Sequence, residues 1–204
     1  MINGSPHPKG CTFTALSEIG AELVKGGAEY EIVQIGGRAV RGCTACNRCK
    51  DGSMLCIYKD DPVNEIIEKL AAADGVIVGS PVYYASANGS LISLLDRIFH
   101  AAAARFEFKP AAAIVSARRG GTTATFDQLN KYFTINNMPV VSSQYWNMVH
   151  GNTPEEVMRD EEGLQIMRTL ARNMIWLLKC IDEGKRAGIH PFKPEERIKT
   201  SFIR

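Results

Sequence analysis

Apolar positions along the first two thirds of the chain alternate between two rhythms. Phe13, Leu16, Ile19 and Leu23 recur at helical spacing, and Gly26-Gly27 closes that run. Tyr30 to Ile35 is a β-rich run ended by Gly36-Gly37, a second strand after the brief apolar start at Ile2. Asp61-Pro62 opens another helix, with proline in the favoured first position and an apolar face of Val63, Ile66, Ile67 and Leu70. Gly75-Val76-Ile77-Val78-Gly79 is continuously apolar, as expected of a strand buried on both faces of a parallel sheet. Leu91, Leu94, Leu95, Ile98 and Phe99 predict the next helix, and Ala111 to Ser116 the fourth strand. Phe126, Leu129 and Phe133 predict a further helix, and Met138 to Val141 a short fifth strand. Five strands alternating with helices predict an α/β fold, a parallel sheet with helices on both faces.

The last third leaves this rhythm. Ser142 to Asn152 reads as a long irregular connection holding Tyr145, Trp146, Asn147 and His150. Thr153-Pro154-Glu155-Glu156 is a capping box, and the helix after it pauses near Gly163 and runs to Gly184. This divides the chain into a domain over 1–184 and a polar tail over 185–204 without a core of its own.

Length fits one domain: 204 residues, 45% hydrophobic and 23% charged. The net charge of +2 comes from scattered residues and makes no case for nucleic acid or a membrane surface. No basic-then-apolar opening or long apolar run occurs, which predicts a cytoplasmic location where thiols stay reduced. The cysteine count changes the picture. Four of the six, Cys43, Cys46, Cys49 and Cys56, fall in an irregular loop over 42–58 after the second strand, so they read as ligands or plain thiols rather than a disulfide framework.

Three loops rich in glycine, proline and hydroxyls follow strands one, three and four. In a parallel sheet such loops converge at the carboxyl edge, near the switch in strand order, where ligands bind. The first, from Ile2 to Thr12, reads as an anion cradle on a helix start, with Ser5 and Thr12 offering hydroxyls. It lacks the Gly-Lys-Ser/Thr ending of a Walker loop, and with only Gly4 and Gly10 it lacks the three-glycine dinucleotide fingerprint. The second, Pro81 to Tyr84, offers backbone groups and aromatic walls to a planar ring. The third, Ala117 to Thr122, offers glycine amides and two arginines to a ring edge that becomes anionic. A phosphate at one end and an electron-accepting heterocycle at the other describe flavin mononucleotide, FMN.

Asn3-Gly4-Ser5-Pro6 with Gly10 and Thr12, Gly79-Ser80-Pro81-Val82-Tyr83, Gly89 and Asp96-Arg97 together resemble the NADPH-dependent FMN reductases of the flavodoxin-like superfamily, over residues 2–180. The resemblance implies a three-layer sandwich with a five-stranded sheet in the order 2-1-3-4-5, non-covalent FMN, NAD(P)H as co-substrate, and a homodimer or tetramer. By position it assigns Ser5, Gly10, Cys11 and Thr12 to the FMN phosphate. Pro81, Val82, Tyr83 and Tyr84 then line the ribityl chain and ring, and Ala117, Arg118, Gly120 and Gly121 face the pyrimidine edge. Cys11 stands where relatives often carry asparagine or serine, leaving its backbone amide as the contact. The very short first strand suggests residues upstream of Met1 or a misplaced start.

Cys43-x2-Cys46-x2-Cys49-x6-Cys56 is similar to the compact motif of the iron-sulfur flavoproteins, a branch of that family. Such a run can wrap a [4Fe-4S] cubane. Zinc and empty thiols are the alternatives, although structural zinc usually draws on two separated Cys-x2-Cys knuckles. Two functions result. In one, NAD(P)H reduces FMN, which reduces a small-molecule or protein acceptor. In the other, FMN and a cluster relay electrons from a ferredoxin without NAD(P)H. Hydride transfer to a flavin needs no catalytic acid or base, so no catalytic side chain is assigned. Tyr145 and Trp146 read as a cap on the core, His150 as a turn histidine, Cys180 as packing, and Asp60-Asp61 as a helix entry. Phe202 and Arg204 are candidates for docking on a neighbouring subunit.

Overall fold

Two strands at the centre, one of eight residues and one of seven, organise the molecule. The computed structural model describes residues 1–192, 195–196 and 198–202. The elements are β1 (Ile2–Asn3), α1 (Cys11–Lys25), β2 (Val33–Gln34), α2 (Val63–Ala72), β3 (Val76–Tyr83), β4 (Ser86–Ala87), α3 (Gly89–Ala102), β5 (Ala111–Ala117), α4 (Thr122–Thr134), β6 (Met148–His150), α5 (Pro154–Val157) and α6 (Glu161–Arg186). β3 and β5 pair in parallel from Val76–Ala111 to Pro81–Ser116. Parallel strands run β2-β1-β3-β5-β6, which is the expected 2-1-3-4-5 order. A sixth strand was not expected: β4 folds back antiparallel on the end of β3.

Side chains alternate across the sheet because successive strand residues face opposite ways. Ile77, Ala112, Ile114 and Val149 pack under Leu16 and Ile19 of α1 and Leu170 and Met174 of α6. Val76, Val78, Ala113 and Val115 pack on the opposite face against α2, α3 and α4 through Ile66, Leu94, Leu95 and Phe133. The result is a flavodoxin-like three-layer sandwich. α1 sits close on β3, since a methyl group at Gly79 would lie 2.9 Å from Thr12 Cγ2.

The fifth parallel strand corrects the sequence reading. It is Met148–His150, and the stretch Met138–Val141 contributes only a single bridge, Val140 to Ala111. From Ala111 to Val115 the sheet advances four residues on β5, while the edge uses eight, from Val140 to Met148. The surplus is extruded as a bulge, a common device on edge strands. Buried Asn147 bridges the break, its Nδ2 donating to the Ala113 carbonyl at 3.1 Å. The extruded segment carries Tyr145 and Trp146, their rings inclined at 57° with centroids 5.0 Å apart and about half exposed, so they do not cap the core.

Helix ends differ by small steps from the sequence reading. Pro62 is the N-cap of α2 rather than its first helical residue. α6 starts two residues before Gly163, capped by Asp160, whose carboxylate accepts from the Gly163 amide at 3.0 Å, and it ends at Arg186. Cys180 on this helix is exposed rather than packed. Beyond it Phe192 and Phe202 are exposed; Arg204 lies outside the described residues.

Lys109 closes α2 from a distance: Nζ donates to the carbonyls of Leu70 at 2.9 Å and Ala73 at 2.7 Å, and also to Ala71. Those carbonyls lack intrahelical partners. Lys109→Met keeps the stem and removes the donors, so it should lower stability by about 1–3 kcal/mol, read by denaturant unfolding.

Candidate functional site: three loops at the carboxyl edge and a four-cysteine pocket

The three loops do meet. Gly4 N–H donates to the Gly79 carbonyl at 2.8 Å, tying the first loop to β3. The Thr12 and Ser116 hydroxyls lie 2.8 Å apart, tying the start of α1 to the end of β5. Gly121, the N-cap of α4, has φ +90, and a methyl group there would come within 2.9 Å of Ala85 Cα and Val82 Cγ1. That contact joins the loop after β5 to the loop after β3, and the left-handed backbone favours glycine.

In the first loop the side chains turn inward. Ser5 is buried and its Oγ accepts from the His7 amide at 3.2 Å. The Cys11 thiol donates to the Gly151 carbonyl at 3.7 Å, and Thr12 is occupied by Ser116. Burial among these neighbours pushes the Cys11 thiol up from its ordinary pKa. What remains for an anion is the start of α1. Gly10 provides no side-chain cap, no acidic residue lies in the first turn, and Thr14 is the first amide to bond back, to the Gly10 carbonyl. The amides of residues 11–13 therefore keep the positive end of a 15-residue helix open. This donor set fits a phosphate, with backbone amides carrying it more than hydroxyls.

The second loop is a tight hairpin. Tyr83 pairs with Ser86 across Tyr84 (φ 51) and Ala85 (φ 58), the two positive-φ positions of a type I′ turn. Neither is glycine or asparagine, so the turn carries local backbone strain of the kind that gathers at functional sites. Gln128 of α4 holds it, with Oε1 accepting from Ser86 Oγ and the Ala87 amide, each at 2.9 Å. Tyr84 is fully exposed and Tyr83 partly so. Gln128→Ala should loosen this hairpin and weaken FMN binding about threefold to tenfold, read by fluorescence titration of the flavin-free protein. In the third loop Ala117 is buried, while Arg118, Arg119 and Gly120 are exposed and neither arginine has a hydrogen-bond partner among the described residues.

Cys43, Cys46, Cys49 and Cys56 all line one pocket, together with Asn47, Tyr58, Arg97 and His100. The loop around them uses left-handed backbone at Ala45 (φ 51), Asn47 (φ 55) and Met54 (φ 54). Amides and a guanidinium point at the sulfurs. Ala45 N–H donates to Cys43 Sγ at 3.5 Å, and the Arg48 amide beside Cys46 draws that thiol below its ordinary pKa. Cys49 is buried, which pushes its thiol up. Among the described residues no three Cys, His, Asp or Glu side chains are gathered closely enough to hold a metal ion. Four thiols on one wall, with donors aimed at sulfur, fit a thiolate-ligated centre in kind.

Arg97 closes this pocket from behind. Its side chain is buried, it pairs with buried Asp61, and it donates through Nε and Nη2 to Cys56 Sγ at 3.3 and 3.2 Å. Burial alone would weaken its charge; Asp61 and Cys56 outweigh that and hold its pKa above the ordinary value. Arg97 Nη1 also donates to the Arg41 carbonyl at 3.4 Å, and both arginines lie over the Tyr58 ring. Asp61 does mark the helix entry, accepting from the Val63 amide, but it is also the counterion of Arg97. The sequence held a signal for this: Arg97 falls inside the apolar run Leu94, Leu95, Ile98, where a charge demands a partner.

The comparison with known families decides the wider identity. The model of the NADPH-dependent FMN reductases matches residues 1–153. The chain belongs to the NADPH-dependent FMN reductase family. An iron-sulfur flavoprotein of Methanocaldococcus jannaschii is 31% identical over 188 residues, covering 88% of this chain and 96% of that protein. One from Methanosarcina thermophila is 30% identical over 190 residues, covering 90% and 96%. A WrbA-like flavodoxin from Agrobacterium tumefaciens shares the fold with a TM-score of 0.58 at 15% identity, covering 88% of this chain and 94% of that one. This FMN reductase family member is accordingly a flavin oxidoreductase, and the cofactor its family supports is FMN. No helix among the described residues is long and apolar enough to cross a membrane.

Proposed function

We propose that the three loops hold FMN and that the cysteine pocket holds a [4Fe-4S] cluster, making the chain an oxidoreductase that moves electrons between the two centres and an external partner. The observation that carries this reading is that all four cysteines face one pocket whose supporting loop touches the flavin loop. Gly36 lies against the Ser5 backbone, and the chain continues through Val40 and Arg41 to the pocket wall, beside a cleft lined by Arg41, Asp60, Asp61 and Ser90. When bound, FMN takes electrons in pairs or singly and an iron-sulfur centre carries them one at a time.

The residues of this chain have separable tasks in that scheme. The amides of residues 11–13 hold the phosphate, and the buried Ser5, through its bond to the His7 amide, shapes the loop that leads to them. The strained hairpin at Pro81, Val82, Tyr83 and Tyr84 sets the ring's wall, and Ala117, Arg118, Gly120 and Gly121 offer donors and positive charge to its pyrimidine edge. Cys43, Cys46, Cys49 and Cys56 supply four thiolates. Exposed Cys43 and Cys46 put the outer side of that centre at the surface, where an electron carrier can approach.

NAD(P)H is the proposed donor, stacking on the open flavin face. A second reading is favoured by the cysteine pocket itself: electrons arrive one at a time from a ferredoxin, and NAD(P)H plays no part. Anaerobic purification followed by an absorption spectrum and addition of NADPH separates them. Flavin bleaching by NADPH supports the first reading. A flavin and cluster spectrum that NADPH leaves unchanged and reduced ferredoxin bleaches supports the second. A colourless protein that does not take up FMN excludes both. A homo-oligomeric assembly and a cytoplasmic location remain parts of the same proposal, the former supported by exposed Tyr145, Trp146 and Trp176 and checked by light scattering.

A further inference from the structure

We infer that Arg97 is the positioning residue that sets how readily the cysteine-pocket centre accepts an electron, and that Asp61 offsets it; this rests on the cluster reading above. The geometry is specific. Arg97 is 2% exposed, and its guanidinium has a different partner on each side. Nε and Nη2 form a fork on Cys56 Sγ, Nη1 meets Asp61 and the Arg41 carbonyl, and the Tyr58 ring lies below. Arg97 is the basic side chain in contact with a cysteine sulfur among the described hydrogen bonds, and it reaches only Cys56.

Two physical effects follow. Hydrogen bonds to a ligand sulfur withdraw charge and favour the reduced, more negative centre, as hydrogen bonding to sulfur and net charge both set such potentials. The buried positive charge acts in the same direction, and Asp61 opposes it across the same guanidinium. The fork also fixes the side-chain angle of Cys56. This cysteine lies farthest along the chain from the other three, and the Cys56 amide and carbonyl are bracketed by the Asn64 carboxamide at 2.7 and 2.8 Å. Cys56 is therefore held at both its sulfur and its backbone, so a change at Arg97 would act on a centre bound there with little absorbed by loop movement.

The test uses the full chain purified anaerobically with its cofactors, comparing wild type with R97Q, R97K and D61N. Iron, sulfide and flavin are counted per chain, and the cluster is titrated electrochemically with detection by electron paramagnetic resonance. R97Q should lower the ratio of reduced to oxidised cluster about tenfold at the wild-type midpoint, the effect of losing roughly one charge-assisted hydrogen bond. D61N should raise that ratio. R97K, which keeps the charge but not the fork, should fall between wild type and R97Q, and it serves as the second arm where R97Q folds poorly. A merely structural role would not send R97Q and D61N in opposite directions. Fully loaded R97Q or R97K with an unchanged midpoint overturns the inference, as does a shift of R97Q and D61N in the same direction. A wild-type protein without iron and sulfide overturns the cluster reading and this inference together, so the two failures are distinct.

Discussion

Gly36→Ala is expected to weaken FMN binding on the order of a hundredfold and to lower stability by about 2–4 kcal/mol. A methyl group at Gly36 would sit 2.2 Å from both the carbonyl carbon and oxygen of Ser5 and 2.4 Å from the Gly4 oxygen. All three are backbone atoms, so no rotamer change relieves the clash and the loop after β1 must move. That loop sets the approach of the chain to α1, where the amides proposed to hold the phosphate stand. Gly37→Ala is the internal control. Its new methyl group would meet only the Pro6 oxygen, at 3.7 Å, and stability and flavin affinity should stay near wild type. Flavin fluorescence titration with thermal unfolding of both variants checks the pair. Equal effects at the two positions would mean that general backbone stiffening, not this contact, is responsible.

Cys49→Ser should remove more than about nine tenths of the iron and sulfide while leaving FMN bound. Serine has almost the same shape, so the pocket wall is retained, but a buried hydroxyl does not ionise near neutral pH and is a poor ligand for iron that prefers thiolate. Cys49 is the buried member of the set, so water reaches its sulfur less readily than those of the exposed cysteines. Ligand replacement by water is accordingly harder there than at exposed Cys43 or Cys46, whose serine variants should lose less of the centre. Metal analysis and the flavin absorption of the same sample give both quantities at once. Full iron content in Cys49→Ser would remove this cysteine from the ligand set.

Much of the architecture could be read from periodicity because the strands of a sheet buried on both faces are largely apolar, and β3 and β5 carry that pattern as far as Ser80 and Ser116. The edge strand could not. Its pairing is split around an extruded bulge, and the side chain of Asn147, not a neighbouring strand residue, satisfies the Ala113 carbonyl; no local pattern announces such a substitution. The hairpin partner β4 was equally silent, two residues long and turned by Tyr84 and Ala85 instead of glycine. At the candidate site, loop composition foretold which segments come together, because βα loops of a parallel sheet share one edge. It did not foretell which groups face a ligand. Thr12 looked like a free hydroxyl until Ser116, from a strand more than a hundred residues away, was found to engage it. Asp61 likewise looked complete as a helix entry, since its second partner comes from a helix thirty-six positions later.

The Arg97–Asp61 pair has a consequence for how this pocket can change over descent. Removing either member alone leaves a solitary charge in the interior, a loss of about 3–5 kcal/mol, comparable with a large part of the stability of a domain. A lineage that loses the charge behind the cysteines by single steps must pass through a markedly less stable ancestor. Relatives that have abandoned the centre should thus be found either with both charges still facing each other across an empty pocket, or with both replaced together.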